Sequence, residues 1–130
     1  MHSEWMTHKG QKYFFCNYAH LTDMALLKAE MDAVDEFIGR QPEQSMLILT
    51  DVRGLIGTPQ VVNLFTKSAT HTKKYVRKSA IIGIGFTGPR KVLFDFVLRA
   101  SGQKVTVFED LEKAKDWLVA APGGAPAGMV

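Results

Sequence analysis

One cysteine, Cys16, stands in a chain of 130 residues. No internal disulfide can form, so a reducing cytoplasm is the expected setting. Cys16 follows Phe14 and Phe15 with no basic neighbour, and its thiol reads as buried and inert. No apolar run approaches the ~20 residues a membrane-spanning helix needs. The opening Met1-His2-Ser3-Glu4-Trp5 lacks the apolar core of a secretion signal. No membrane span is therefore expected. The histidines His2, His8, His20 and His71 fall in no H-x-x-x-H pattern, and C-x-x-C is absent, so no metal site is predicted. The phosphate loop G-x-x-x-x-G-K-[ST] is also missing. No nucleophile–base pair stands out anywhere, which predicts neither an enzyme nor a bound cofactor.

What is present suits one folded domain over residues 1–120. A chain of this length with 46% apolar and 22% charged residues can bury a sizeable core. The net charge of +3 is unevenly spread. Asp23 to Arg53 holds seven acids against three bases; Thr66 to Lys104 holds nine bases against Asp95 alone. That polarity suits either a solvated basic face or an acidic or anionic partner. Tyr75 and Phe86 interleave with those cations, but no recognised binding motif is present, so nucleic acid is not the expected partner.

The apolar pattern predicts alternating elements. Trp5–His8 and Gln11–Tyr18 read as a hairpin turning at Lys9-Gly10. Thr22 is the expected cap of a helix whose stripe is Met24, Leu27, Met31, Val34 and Ile38, stopping at Gly39. Met46–Val52 reads as a strand buried on both faces. Thr58-Pro59 caps and opens the next helix. Its inward stripe is Val61, Leu64 or Phe65, Ser68 or Ala69, and Thr72. Ser79–Ile84 is a further strand, Pro89–Ala100 a helix, Val105–Phe108 a strand, and Asp110–Val119 a closing helix. The Pro/Gly/Ala-rich residues 121–130 read as a disordered tail. The order gives an α/β fold: a mostly parallel sheet of four to five strands with an antiparallel N-terminal hairpin edge.

The run Gly83-Ile84-Gly85-Phe86-Thr87-Gly88-Pro89-Arg90-Lys91 spells G-x-G-x-x-G between a strand and a helix, with Glu109 placed as a ribose acceptor would be. Three features weigh against a dinucleotide. The unit comes late in the chain, Pro89 removes a helix-start N–H, and Arg90 and Lys91 put cations where neutral backbone is usual. A structural turn able to hold an anion is the preferred reading, with a nucleotide-binding enzyme third among the functions considered.

Several stretches together carry a family resemblance: Leu47-Ile48-Leu49-Thr50-Asp51-Val52-Arg53-Gly54, Thr58-Pro59, Tyr75-Val76-Arg77-Lys78-Ser79-Ala80, Thr87-Gly88-Pro89-Arg90-Lys91, and Val107-Phe108-Glu109-Asp110 through Trp117-Leu118. Over residues 10 to 119 the chain resembles the SpoIIAA-like proteins, small bacterial members of the STAS/CRAL-TRIO fold group. The resemblance implies a β–α superhelix and a family of largely undefined role. Two functions occur among similar folds. Anti-sigma-factor antagonists carry a phosphorylatable serine, preceded by aspartate, at a helix start. Gly57-Thr58-Pro59 occupies that place here, so Thr58 is a candidate phosphorylation site, although a helix cap explains it too. CRAL-TRIO proteins carry lipids or other apolar ligands.

The expected function is a non-enzymatic binding or regulatory module, with a carrier of an apolar ligand as the alternative. Asp51, Arg53, Thr58, Gly85, Thr87, Gly88 and Arg90 are the candidates for an anion-holding rim at the strand ends. Asp51 reads either as a functional carboxylate or as an anchor for the Arg53-Gly54 turn. In the Pro89–Ala100 helix, Phe94 and Leu98 point away from the main apolar stripe. They fit a homodimer interface, burial under Tyr75–Lys78, or a lipid contact. The expected partners are a second copy, a regulatory protein, or a small apolar or anionic ligand.

Overall fold

A computed structural model of the chain describes residues 1–84, 102 and 104–120. The expected Pro89–Ala100 helix and the tail from Ala121 lie outside these residues. Five strands form one sheet in sequence order: β1 (Glu4–His8), β2 (Gln11–Asn17), β3 (Met46–Asp51), β4 (Val76–Ile82) and β5 (Thr106–Phe108). β1 and β2 are antiparallel, and every other neighbouring pair is parallel. The fold is α/β with an antiparallel hairpin edge. At the hairpin turn Lys9 and Gly10 both have positive φ, 50° and 80°, a twist that matches the strands it joins.

Period-two alternation sorts the strand side chains onto two faces. Phe14, Cys16, Ile48 and Ile81 join one core cluster with α1 (Met24–Ile38) and α2 (Pro59–Thr72). Tyr13, Leu47, Leu49, Ala80 and Ile82 join a second with α3 (Leu111–Leu118), through Ala114 and Leu118. Three layers result. The α1 stripe Leu27, Met31, Val34 and Ile38 is buried as its spacing predicts, each side chain contributing roughly 1.5–3 kcal/mol by leaving water.

Most element ends move by one or two residues from expectation, β4 closing at Ile82 rather than Ile84, and two shifts have a clear cause. The cap of α1 is Asp23, not Thr22: its carboxylate accepts from Leu26 N at 3.0 Å. The helix proper starts one residue later than Thr22 requires, with Leu27 N donating to Asp23 O, and a carboxylate also suits the helix dipole. β4 starts at Val76, three residues before Ser79, because Val76 and Lys78 pair with Met46 and Leu47 across a register shift. Lys78 tolerates the strand by laying its ammonium 4.2 Å over the Trp117 ring and donating to the Trp117 carbonyl. Thr58 caps α2 as expected, accepting from Val61 N at 3.3 Å, and Pro59 opens it.

Candidate functional site

The loops after β2, β3 and β4 interlock at the carboxyl edge of the sheet. Tyr18 N donates to Asp51 O at 3.1 Å, His20 N to Arg53 O at 2.7 Å, and Val52 N to Ile82 O at 3.0 Å. Two glycines permit the close approach. A Cβ on Gly54 (φ +83°) would meet His20 Nδ1 at 2.3 Å, and one on Gly83 (φ +100°) would meet Arg53 N at 2.5 Å. The first glycine of the G-x-G-x-x-G run thus has a packing role that no side chain permits.

Asp51 is 1% exposed. Its Oδ1 accepts from Arg53 N and Nε, both at 3.0 Å, and its Oδ2 from Nε at 3.1 Å and Nη2 at 2.7 Å. The same two oxygens brace the turn and neutralise the guanidinium. Hydrogen bonding to Asp51, then its charge, holds Arg53 above the ordinary arginine value. The acceptor capacity of Asp51 is taken up locally, and the Arg53 charge is compensated.

Thr58 is exposed at the start of α2. It lines an apolar groove of about 160 Å³ with Leu21, Met24, Leu27, Leu55, Ile56 and Val61, rimmed by Thr22 and Gln60. A shallower depression of about 370 Å³ adjoins it through Met24 and Gln60, and extends to Lys28, Asn63 and Leu64. Ile56 is 70% exposed in this wall, although its neighbour Leu55 is buried.

A third space, a half-open pocket, lies between the sheet and the pair α1–α2. It measures about 70 Å³ and is lined by apolar groups such as Val34, Ile38, Ile48, Phe65 and Ile81. It also receives Cys16, Tyr18, Thr50, Ser68, Thr72 and Ser79. Most of these polar groups are occupied. Ser68 Oγ donates to Asp35 Oδ1 at 2.6 Å, and Thr72 Oγ1 to Ser68 O at 2.9 Å. Cys16 hydrogen-bonds Thr50 and Tyr18, while burial pushes its thiol pKa up to about 12 and lifts the Tyr18 phenol well above its ordinary value. A thiol so displaced stays protonated and unreactive.

The structure brings Asp51 and Arg53 into direct contact and puts Thr58 on the groove. Gly85, Thr87, Gly88, Arg90, Phe94 and Leu98 lie outside the described residues. Among the described residues no three His, Cys, Asp or Glu side chains gather as a metal would require, and no helix is long and apolar enough to cross a membrane. Sequence reasoning singled out neither Ile56 nor the inward hydroxyls Thr50 and Ser79. The available signals were an isoleucine in a loop and hydroxyl residues at inward positions of otherwise apolar strands. Comparison with family models, curated proteins and solved structures finds no match to this chain.

Proposed function

We propose that this protein is a non-enzymatic regulatory binding module of the SpoIIAA-like, STAS-like kind, acting in the cytoplasm. On this reading it engages a partner protein through the groove at the start of α2. One observation carries the reading: Ile56 holds an apolar, β-branched side chain 70% in solvent on the wall of an apolar groove edged by Thr22, Thr58 and Gln60. An apolar centre inside a neutral polar rim is the anatomy of a protein interface. At the neighbouring strand ends Asp51 and Arg53 satisfy each other, so the reading draws on the groove and not on that pair. A phosphate on Thr58 would meet the helix N-terminal dipole while charging the groove rim, so modification would switch partner affinity. Self-association through Phe94 and Leu98 is a separate proposal; light scattering of Phe94→Asp checks it, and an unchanged assembly state removes that helix as the interface.

A photo-crosslinking side chain at position 56, introduced in cells, tests the groove. One discrete adduct should form from position 56 and none from position 36, where Glu36 lies exposed on α1. Identical adduct patterns from the two positions would defeat the reading. The largely apolar pocket between the sheet and α1–α2 favours a second reading, a carrier of an apolar ligand. Native mass spectrometry of the purified protein would then show a co-purified mass, and a clean apo mass would count against it.

A further inference from the structure

We propose that the end of the sheet where β4 and β5 begin binds an extended acidic polypeptide segment. The segment lies along the outer edge of β5 and sets its carboxylates among Lys73, Lys74, Arg77 and Lys104. All four side chains are exposed. Lys73 and Lys74 stand on the single helical turn Lys73–Tyr75 that joins α2 to β4. Gln44 N and Ser45 N fix this turn by donating to the Lys74 and Tyr75 carbonyls at 3.0 and 3.1 Å. Arg77 is the residue that the register shift leaves without a partner on β3, and a bulge of this kind re-aims its side chain. Lys73 Nζ lies against Gly102, where an added Cβ would meet it at 3.0 Å. That contact brings Lys73 to the approach to β5, beside the segment that carries Lys104.

The charge gathered here is uncompensated. Among the described residues Lys73, Arg77 and Lys104 form no ion pair, and Lys74 reaches Glu43 only at 3.8 Å, between two exposed side chains. The sequence from 85 to 103 brings Arg90, Lys91 and Arg99 against Asp95 alone, so it adds to the excess. Burial, then the charge of Arg77, holds the neighbouring Lys78 ammonium below its ordinary value, as crowded like charge does. Elsewhere the acids are taken. Asp32 pairs with Lys28, Glu36 with Arg40, Asp51 with Arg53 and Glu112 with Lys115, while Asp116 holds His8 and Lys9. A second copy has little negative charge to offer, so the complement comes from another molecule.

The strand edge selects a polypeptide. β5 is the last strand of the sheet, so among the described residues no further strand pairs with its outer side. An extended peptide uses such an edge by adding a strand to it. A polynucleotide finds no free stacking ring, because Lys74 lies 5.3 Å over Tyr75 and Lys78 4.2 Å over Trp117. A bilayer finds no apolar anchor: the exposed large apolar side chains among the described residues are Met1, Trp5, Leu26 and Ile56, none on β4 or β5. This surface follows the end of α2, whereas the groove lies at its start, so the two readings fail separately.

The test is an NMR titration of isotope-labelled full-length protein with decaglutamate, and in parallel with decathymidylate, which carries nearly the same charge. Decaglutamate should give saturable amide shifts at Thr106, Val107 and Phe108, and should bind more weakly as salt rises. Arg77→Glu, and independently Lys104→Glu, should weaken it at least about tenfold. Lys113→Glu, the same charge change at an exposed position of α3, should leave its affinity within about twofold. Equal losses in all three variants would reduce the effect to net charge and overturn the site. Absence of saturable shifts at β5 in low salt overturns it too. Equal or tighter binding of decathymidylate, or co-sedimentation with phosphatidylserine vesicles, overturns the choice of a polypeptide.

Discussion

Replacing Asp51 by alanine separates an anchor from a functional carboxylate. The side chain is 1% exposed and makes four contacts to Arg53, one to backbone N and three to the guanidinium. The guanidinium side of the pair is 55% exposed and can be rehydrated, so its loss costs little. The backbone N–H is different, because removing its acceptor in a part-buried turn costs about 1–3 kcal/mol. Loosening the interlock at Gly54 and Gly83 adds to that. Asp51→Ala should therefore lose about 2 kcal/mol, or roughly 6–10 °C of midpoint for a chain of this size. Asp51→Asn, which retains an oxygen for Arg53 N, should lose about half as much. Urea unfolding followed by tryptophan fluorescence reads both, with the slope unchanged. A loss under about 0.5 kcal/mol would refute the anchoring role. A gain in stability would reverse the interpretation, since buried functional groups are commonly held at a cost to the fold.

Other perturbations test the same frame. Gly83→Ala should cost at least about 2 kcal/mol, since it adds a Cβ 2.5 Å from Arg53 N at φ +100°; thermal melts check it, and a neutral outcome would contradict the close packing. Burial raises the Asp35 pKa, against the lowering effects of Ser68 and His71. A raised carboxyl contributes stability that is present below its unfolded value and lost as pH rises through the folded one. Asp35→Asn should therefore be more stable than the wild type at neutral pH, and the difference should vanish below the ordinary aspartate range. Glu30 behaves oppositely. Burial acts to raise its pKa, but bonds from His2 N, Ser3 Oγ and Ser3 N prevail and lower it. Glu30→Gln should cost about 2 kcal/mol at neutral pH, a deficit that shrinks as pH falls below the ordinary glutamate range.

Much of the fold was legible because its signals are local. Val61 on α2, the Lys9-Gly10 turn, and the apolar run Met46–Leu49 of β3 each declare their state within a few residues, although the spacing left Leu64 or Phe65 open. The start of β4 was not legible. The charged pair Arg77-Lys78 carries no strand signal of its own, and Trp117, 39 residues beyond Lys78, supplies the ring for its ammonium. The site was less legible for the same reason. Asp51 and Arg53 are close in sequence, so their pairing could be anticipated from the turn. Thr50 and Ser79, by contrast, show as inward hydroxyls only once α1 and α2 pack against that face of the sheet. Ile56 carries a signal only through its exposure, which no periodicity reports.

The groove beside Thr58 is the claim on which the functional account turns. Its most direct measurement is a binding isotherm of the species captured at position 56, titrated against wild type and a correctly folded Ile56→Asp. The account predicts an affinity at least about tenfold weaker for the variant, as burying a charge at the centre of an apolar contact requires. Two superimposable isotherms would contradict it.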